Sequence, residues 1–134
     1  MDHATFSALA GGNRVDRSFA FVDLCGFTDF VDTEGDETAV AELRRLRAAL
    51  RDTVPLFGVR IDKWLGDGAL LVGTETDRLV GATVALHERH GGDGQLPLRA
   101  GVAAGSVILL EGDDYAGRAV NLAARLCELA PSGS

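Results

Sequence analysis

The chain has 134 residues, 46% of them apolar, which suits a single folded domain with a packed core and argues against intrinsic disorder. Its formal net charge is -7, from 20 acidic and 13 basic residues. We therefore expect neither a nucleic acid nor an anionic membrane as partner, because both select basic surfaces. No apolar run reaches the ~18 residues of a membrane span, and no signal peptide is recognisable, so the predicted location is cytoplasmic.

The first predicted element is a strand that ends in an acidic residue. Residues 1–16 are polar or small and are predicted to be a flexible lead-in. From Arg17 to Leu24 the alternation is typical of a β-strand, with Phe19, Phe21 and Asp23 on one face. Asp23 therefore lies near the carboxyl end of the strand, where sites in mixed α/β folds gather.

The rest of the chain alternates between helical and strand patterns. Helices are predicted where apolar residues recur at intervals of three and four, and strands where short apolar runs are bounded by glycines. The predicted elements are a helical turn at 26–31, a helix at 36–53, a hairpin at 59–65 and 69–72, a helix at 76–89 with Val84 inside, a strand pair at 98–104 and 107–110 turning at Gly105-Ser106, and a helix from about 115 to 129.

This order predicts an α+β fold with a ferredoxin-like, split βαβ core of the palm type. The core reads strand, helix, strand, strand, helix, strand, with an extra helix added. In such a core the end of the first strand lies beside the hairpin between the second and third strands. Asp23 and Asp67, in the turn Gly66-Asp67-Gly68, are therefore expected to meet.

Two neighbouring carboxylates are a candidate metal site. Mg²⁺ and Mn²⁺ prefer hard oxygen ligands and are often held by one or two carboxylates plus substrate phosphates. Taken singly, Asp67 is also a common turn former and Asp23 a common strand-end residue. Gly26, Phe27 and Thr28 follow Asp23, where backbone N–H groups at a helix start can bind phosphate, although an ordinary strand-to-helix turn has the same sequence.

The last predicted helix carries a polar stripe. Asn121 and Arg125 are four residues apart and share a face, with Asp114 near the helix start on the same stripe. Such a stripe is either a solvated surface or a binding face. The residues opposite the stripe, among them Leu122 and Leu126, are apolar or small, which fits either interpretation.

Four further basic residues remain to be interpreted. Lys63 lies in phase with the apolar residues of its strand, so it either binds a partner or extends its charged end to solvent. Arg99, at the start of the fourth strand, either meets a phosphate or caps the sheet edge. His87 and His90 have no third metal ligand nearby and are predicted to lie on the surface.

These motifs together resemble the catalytic domain of the class III nucleotide cyclases, and most of all the small actinobacterial adenylyl cyclases. The matching segments cover residues 17–134, and three motifs in the same order are specific evidence. The three motifs are Phe-Val-Asp-Leu-Cys-Gly-Phe-Thr, Lys-Trp-Leu-Gly-Asp-Gly and Asp-Tyr-Ala-Gly-Arg-Ala-Val-Asn-Leu-Ala-Ala-Arg, and a fourth segment, Leu-Arg-Ala-Gly-Val-Ala-Ala-Gly, matches the strand that carries a phosphate-facing Arg.

The resemblance implies a two-metal adenylate cyclase that makes 3′,5′-cyclic AMP and pyrophosphate from ATP. Asp23 and Asp67 would hold two divalent cations, Mg²⁺ or Mn²⁺. The other implied roles are phosphate binding by Gly26, Phe27, Thr28 and Arg99, base recognition by Lys63 and Asp114, ribose positioning by Asn121, and charge stabilisation by Arg125. It also implies a homodimer, with the metal carboxylates from one subunit and Lys63, Asp114, Asn121 and Arg125 from the other.

The base preference also follows from hydrogen-bond chemistry. Lys63 can only donate and ionised Asp114 can only accept, which complements adenine and mismatches guanine. The resemblance implies that the domain is short at its C-terminus, since family domains continue past the Asn/Arg helix. Two alternatives stay open: a cyclase-homology module that binds nucleotide or dimerises without turnover, and another palm-like nucleotidyl transferase.

Overall fold

The computed structural model describes residues 13–93 and 96–134 and has a five-stranded antiparallel sheet with four α-helices. The strand order is β2-β3-β1-β4-β5. The elements are β1 (Asn13–Leu24), α1 (Phe27–Glu34), α2 (Asp36–Thr53), β2 (Arg60–Trp64), β3 (Gly68–Gly73), α3 (Thr76–Asp93), β4 (Leu98–Leu109), β5 (Tyr115–Ala116) and α4 (Arg118–Leu129), with 3-10 turns at Val54–Phe57 and Glu111–Asp113. This architecture confirms the predicted α+β fold.

The sheet separates two apolar clusters. Side chains of β1 contribute to both clusters, because they point alternately to the two faces of the sheet. Ala20, Val22 and Leu24 face the larger cluster, which α2 and α3 cover. Phe19 faces the smaller cluster, which α4 covers through Ala119. Because successive strand residues point to opposite faces, the predicted alternation places β1 between the two layers of helices.

Strand β1 begins earlier than predicted. Residues 13–16, assigned to the flexible lead-in, pair with residues 106–109 of β4. The predicted turn at Gly105-Ser106 is wrong for the same reason, since both residues continue β4 opposite Arg17 and Asp16. A Gly-Ser pair permits a turn, but pairing with the long strand β1 keeps these two residues in an extended conformation. The remainder of the predicted lead-in, residues 1–12, lies outside the described residues.

The last helix is shorter than predicted, and one apolar residue of α3 is misplaced. Tyr115 and Ala116 form β5 against Leu109 and Ile108, so α4 starts at Arg118. Val84, predicted to be inside, is 52% exposed. Among the described residues, no helix has the length and the apolarity that crossing a membrane requires.

A buried polar network joins α2, α3 and the segment before β4. Glu42 is fully buried, and its carboxylate accepts a hydrogen bond from the Leu96 backbone N–H at 3.0 Å. His90, predicted to lie on the surface, is 2% exposed. Its Nε2 donates to the Leu96 carbonyl oxygen at 2.8 Å and lies 3.3 Å from a Glu42 carboxylate oxygen. The prediction failed because spacing alone does not show which loop covers a helix face.

Candidate active site

The structure brings Asp23 and Asp67 next to each other. The Leu24 backbone N–H donates to the Asp67 carbonyl oxygen at 3.0 Å, which fastens the β2–β3 turn to the end of β1. Gly68 pairs directly with Asp23. A Cβ at position 68 would overlap the Val22 carbonyl oxygen and lie 2.8 Å from the Asp23 Cα, so only glycine allows this approach.

The electrostatics of this pair fit a divalent cation. Burial raises the pKa of the Asp67 carboxyl group, and the negative charge of Asp23 raises it further. A cation between the two carboxylates would relieve that repulsion. Among the described residues no group of three or more His, Cys, Asp and Glu side chains is placed to hold an ion. Two carboxylates alone suit Mg²⁺ or Mn²⁺, whose remaining ligands are water and phosphate oxygens.

Arg99 is engaged with Asp23. Its Nε donates to one Asp23 carboxylate oxygen at 2.7 Å and its Nη2 to the other at 3.2 Å, while Nη1 donates to the Glu128 carbonyl oxygen at 3.0 Å. The two residues lie directly opposite in the β1–β4 register. The pKa of the Arg99 guanidinium is raised, chiefly by its hydrogen bond to Asp23. The guanidinium therefore orients Asp23, a contact that the sequence analysis missed.

A buried thiol lies beside the same ion pair. Cys127 is 3% exposed, and burial followed by the charge of Asp23 raises its pKa to about 12. Its Sγ–H donates to the Arg99 carbonyl oxygen at 3.7 Å. Burial thus favours the neutral thiol over the reactive thiolate.

The predicted phosphate-binding segment forms the start of α1. Gly26 has φ 71° and ψ 24°, a left-handed conformation that favours glycine, and it immediately precedes Phe27 at the first position of α1. No side chain caps this end. The first backbone N–H groups of the helix, including those of Phe27 and Thr28, have no partner within the helix and can bind an anion. Their role stays a prediction.

Lys63 and Asp114 form a hydrogen-bonded ion pair between β2 and the segment before β5. This hydrogen bond raises the pKa of Lys63 and lowers the pKa of Asp114. The predicted phase of Lys63 is wrong, however. A bulge between Ile61 and Lys63 places Ile61 opposite Leu71 and Lys63 opposite Leu70, which face different clusters. Lys63 therefore shares its face with the smaller cluster.

Asn121 and Arg125 lie on the outer side of α4. They line an open cleft of about 580 Å³ together with Gly117, Arg118 and Leu122. The inner side of the helix packs on β4 through small residues, and a Cβ at Gly101 would lie 2.7 Å from the Leu126 carbonyl carbon. Leu122 and Leu126, expected opposite the polar stripe, are 45% and 40% exposed.

The predicted site residues thus fall into separate groups on one chain. Asp23, Asp67 and the start of α1 form one group, Lys63 and Asp114 a second, and Asn121 and Arg125 a third. Among the described residues, no side-chain hydrogen bond or ion pair joins the first group to the other two. Within the described part of the chain, the three groups are therefore not linked to one another by hydrogen bonds or ion pairs.

The chain is similar to several actinobacterial proteins. It is 39% identical over 114 residues to an uncharacterized protein of Mycobacterium tuberculosis, covering 84% of this chain and 30% of that protein. It is 34% identical over 120 residues to an adenylate cyclase of Streptomyces coelicolor, covering 87% and 31%. The chain spans about a third of the length of these curated relatives. No family model matches it.

The fold is also found in solved cyclase structures. The adenylyl cyclase CyaB from P. aeruginosa superposes with a TM-score of 0.80 at 22% identity, covering 91% of this chain and 76% of that one. The guanylyl cyclase domain of a rhodopsin fusion protein from the fungus Blastocladiella emersonii gives 0.84 at 19% identity, covering 92% and 81%. The chain has the catalytic-domain fold of the class III nucleotide cyclases. Because adenylyl and guanylyl cyclases share this fold, the fold does not determine which purine base the substrate carries.

Proposed function

We propose that the chain is an adenylate cyclase catalytic domain that converts ATP into 3′,5′-cyclic AMP and pyrophosphate. The observation that carries the choice of substrate is the Lys63–Asp114 pair, with one obligatory donor beside one obligatory acceptor. The Lys63 ammonium donates to adenine N1, and the Asp114 carboxylate accepts from the 6-amino group. Guanine presents an acceptor and a donor in the reverse order, so both contacts would be mispaired.

The carboxylate group supports the phosphate chemistry. Asp23 and Asp67 would hold Mg²⁺ or Mn²⁺, which when bound supplies Lewis-acid activation of the 3′-hydroxyl group and neutralises triphosphate charge. Arg99 keeps Asp23 oriented through two hydrogen bonds. Phe27 and Thr28 offer backbone N–H groups to phosphate oxygens.

The outer face of α4 completes the proposed reaction. Asn121 orients the ribose, and Arg125 stabilises the charge that develops on the α-phosphate. The 3′ oxygen forms a bond to the α-phosphorus while the bond to pyrophosphate breaks, and the hydroxyl proton is released. Orientation and charge stabilisation are the main contributions that a protein makes to phosphoryl transfer.

We propose that two copies of the chain share each active site. The cleft on α4 supports this arrangement, because Asn121 and Arg125 line it without either of the carboxylates Asp23 and Asp67. The exposed apolar side chains of Leu122 and Leu126 flank Arg125, as expected for a surface that a second copy covers. The occupant of one subunit's cleft would be nucleotide held by the other subunit's carboxylates.

The test is cyclic nucleotide production by the purified chain. We expect cyclic AMP from ATP with Mn²⁺ or Mg²⁺, none with chelator, and a specific activity that rises with protein concentration. The rate with GTP should be lower by roughly 100-fold, since a mispaired polar contact rejects an analogue strongly. Comparable turnover of GTP would refute the base assignment. ATP binding without any turnover would instead identify a nucleotide-binding homology module.

A further inference from the structure

The Lys63–Asp114 pair spans the two opposite edges of the sheet. β2 and β5 are the outermost strands in the order β2-β3-β1-β4-β5, so no backbone ladder joins them. Both side chains of the pair are nearly half exposed, at 48% and 45%. An exposed ion pair is screened by solvent and contributes too little on its own to hold two strand edges in one geometry.

A second bridge lies directly beside it. Arg60, on β2, donates from Nη2 to the Tyr115 hydroxyl oxygen at 3.0 Å. Its guanidinium also lies 6.0 Å from the centre of the Tyr115 ring, within reach of a cation–π interaction. Arg60 and Tyr115 therefore connect the same two edge strands as the ion pair does.

Tyr115 contacts both the core residue Phe19 and the carboxylate of Asp114. Its ring packs edge-on against the fully buried Phe19, with 5.4 Å between centroids and 71° between planes. Its backbone N–H donates to the Asp114 carboxylate at 3.1 Å. The Asp114 carboxylate, which is proposed to bind the base, is therefore bonded to a residue whose ring is held in place by the buried Phe19.

Asp62 holds Arg60 on the other side of the bridge. It lies at the bulge, its side chain is 2% exposed, and one carboxylate oxygen accepts from Arg60 Nη1 at 3.4 Å. The other oxygen is buried with no hydrogen-bond partner among the described residues. Burial raises the pKa of Asp62, while the charges of Arg60 and Lys63 lower it, so the carboxylate lies in the field of both cations.

We propose that Arg60 and Tyr115, supported by Asp62, are positioning residues that hold Lys63 and Asp114 in the geometry that selects the purine base. The inference rests on the proposed function, because it assumes that this pair binds the base. A displacement of about 1 Å in a recognition pair is enough to weaken its hydrogen bonds severely. The bridge would therefore determine selectivity without itself touching the nucleotide.

The experiment compares Tyr115→Phe and Arg60→Gln with the unmodified chain. Tyr115→Phe removes only the hydroxyl acceptor and keeps the ring packed on Phe19. For each protein, kcat/KM for ATP and GTP is measured together with the affinities for both nucleotides by calorimetry. We expect each variant to lower the ATP-to-GTP preference by roughly five- to tenfold, the worth of one hydrogen bond, mainly through KM. Circular dichroism and the thermal midpoint establish folding, and Arg60→Gln serves if Tyr115→Phe does not fold.

Two controls separate positioning from general damage. Arg89→Gln removes another exposed ion pair, with Asp52 at 2.8 Å, and should leave the preference unchanged. In a background that carries both Lys63→Ala and Asp114→Ala, Tyr115→Phe should have no further effect on the preference, because the bridge acts only through the pair.

The outcomes distinguish this inference from the proposed function. A preference that stays within about twofold in both variants, or a chain that binds ATP and GTP equally, overturns the positioning role. Selective binding that the variants lose, without any turnover, supports the positioning role and overturns the proposed cyclase activity.

Discussion

Glu42 shows how one residue can join three segments of the chain. Its carboxylate is fully buried, yet it bonds the Leu96 backbone, the Arg45 guanidinium at 3.3 Å and lies beside His90. Burial of a charged group is costly unless such partners are present, and removal of one member leaves the others uncompensated. The network also holds the backbone of Leu96, two residues before the start of β4.

We expect Glu42→Ala to lower the free energy of unfolding by roughly 3 kcal/mol, because it removes the fully buried carboxylate that accepts from the half-buried Leu96 N–H and lies beside His90. Glu42→Gln, which keeps one acceptor oxygen, should lose less. The measurement is urea denaturation followed by circular dichroism. Glu88→Ala, on an exposed position of α3, is the control and should change stability by less than about 0.5 kcal/mol. Equal effects at Glu42 and Glu88 would contradict the buried network.

Among the elements, the β2–β3 hairpin depends most on a single backbone approach. Gly68 lies against Asp23, whereas at Gly66 a Cβ would have nothing within 4 Å. We expect Gly68→Ala to push β3 away from β1, to cost roughly 1–3 kcal/mol, and to separate the two carboxylates. Gly66→Ala should preserve both stability and metal binding. Urea denaturation and Mn²⁺ titration followed by electron paramagnetic resonance give the two readouts, and a normal Mn²⁺ affinity in Gly68→Ala would refute the role of this contact.

The elements also show what a sequence pattern can and cannot predict. The proximity of Asp23 to Asp67 was predictable, because the order of elements determines which strand end meets the hairpin. The Arg99–Asp23 contact was not, since it depends on strand register. The bulge that turns Lys63 to the smaller cluster has no signature in the local pattern, and the continuous β4 through Gly105 depends on its long partner β1. The contact, the bulge and the continuous strand all depend on pairing between distant segments of the chain and not on local sequence propensity.

At the scale of the whole molecule, the proposal that two copies of the chain share each active site can be tested by mixing two inactive variants. If two copies share each site, a dimer of Asp23→Ala with Arg125→Ala has one site that carries both lesions and one site that carries neither. Each variant alone should be inactive, because every site lacks one required group. An equal mixture that exchanges subunits freely should recover about a quarter of the wild-type rate, since half of the dimers are mixed and each has one intact site.

The matched control for this mixing experiment uses two lesions in the same half of the site. Asp23→Ala mixed with Asp67→Ala should recover nothing, because every site in a mixed dimer then lacks a carboxylate. Cyclic AMP production before and after mixing is the measurement. Recovery in both mixtures would indicate that the lesions are compensated in some other way, and recovery in neither would place the complete site within one chain. Only the difference between the two mixtures assigns the carboxylates and Arg125 to different subunits, and it does so without any assumption about the geometry of the dimer.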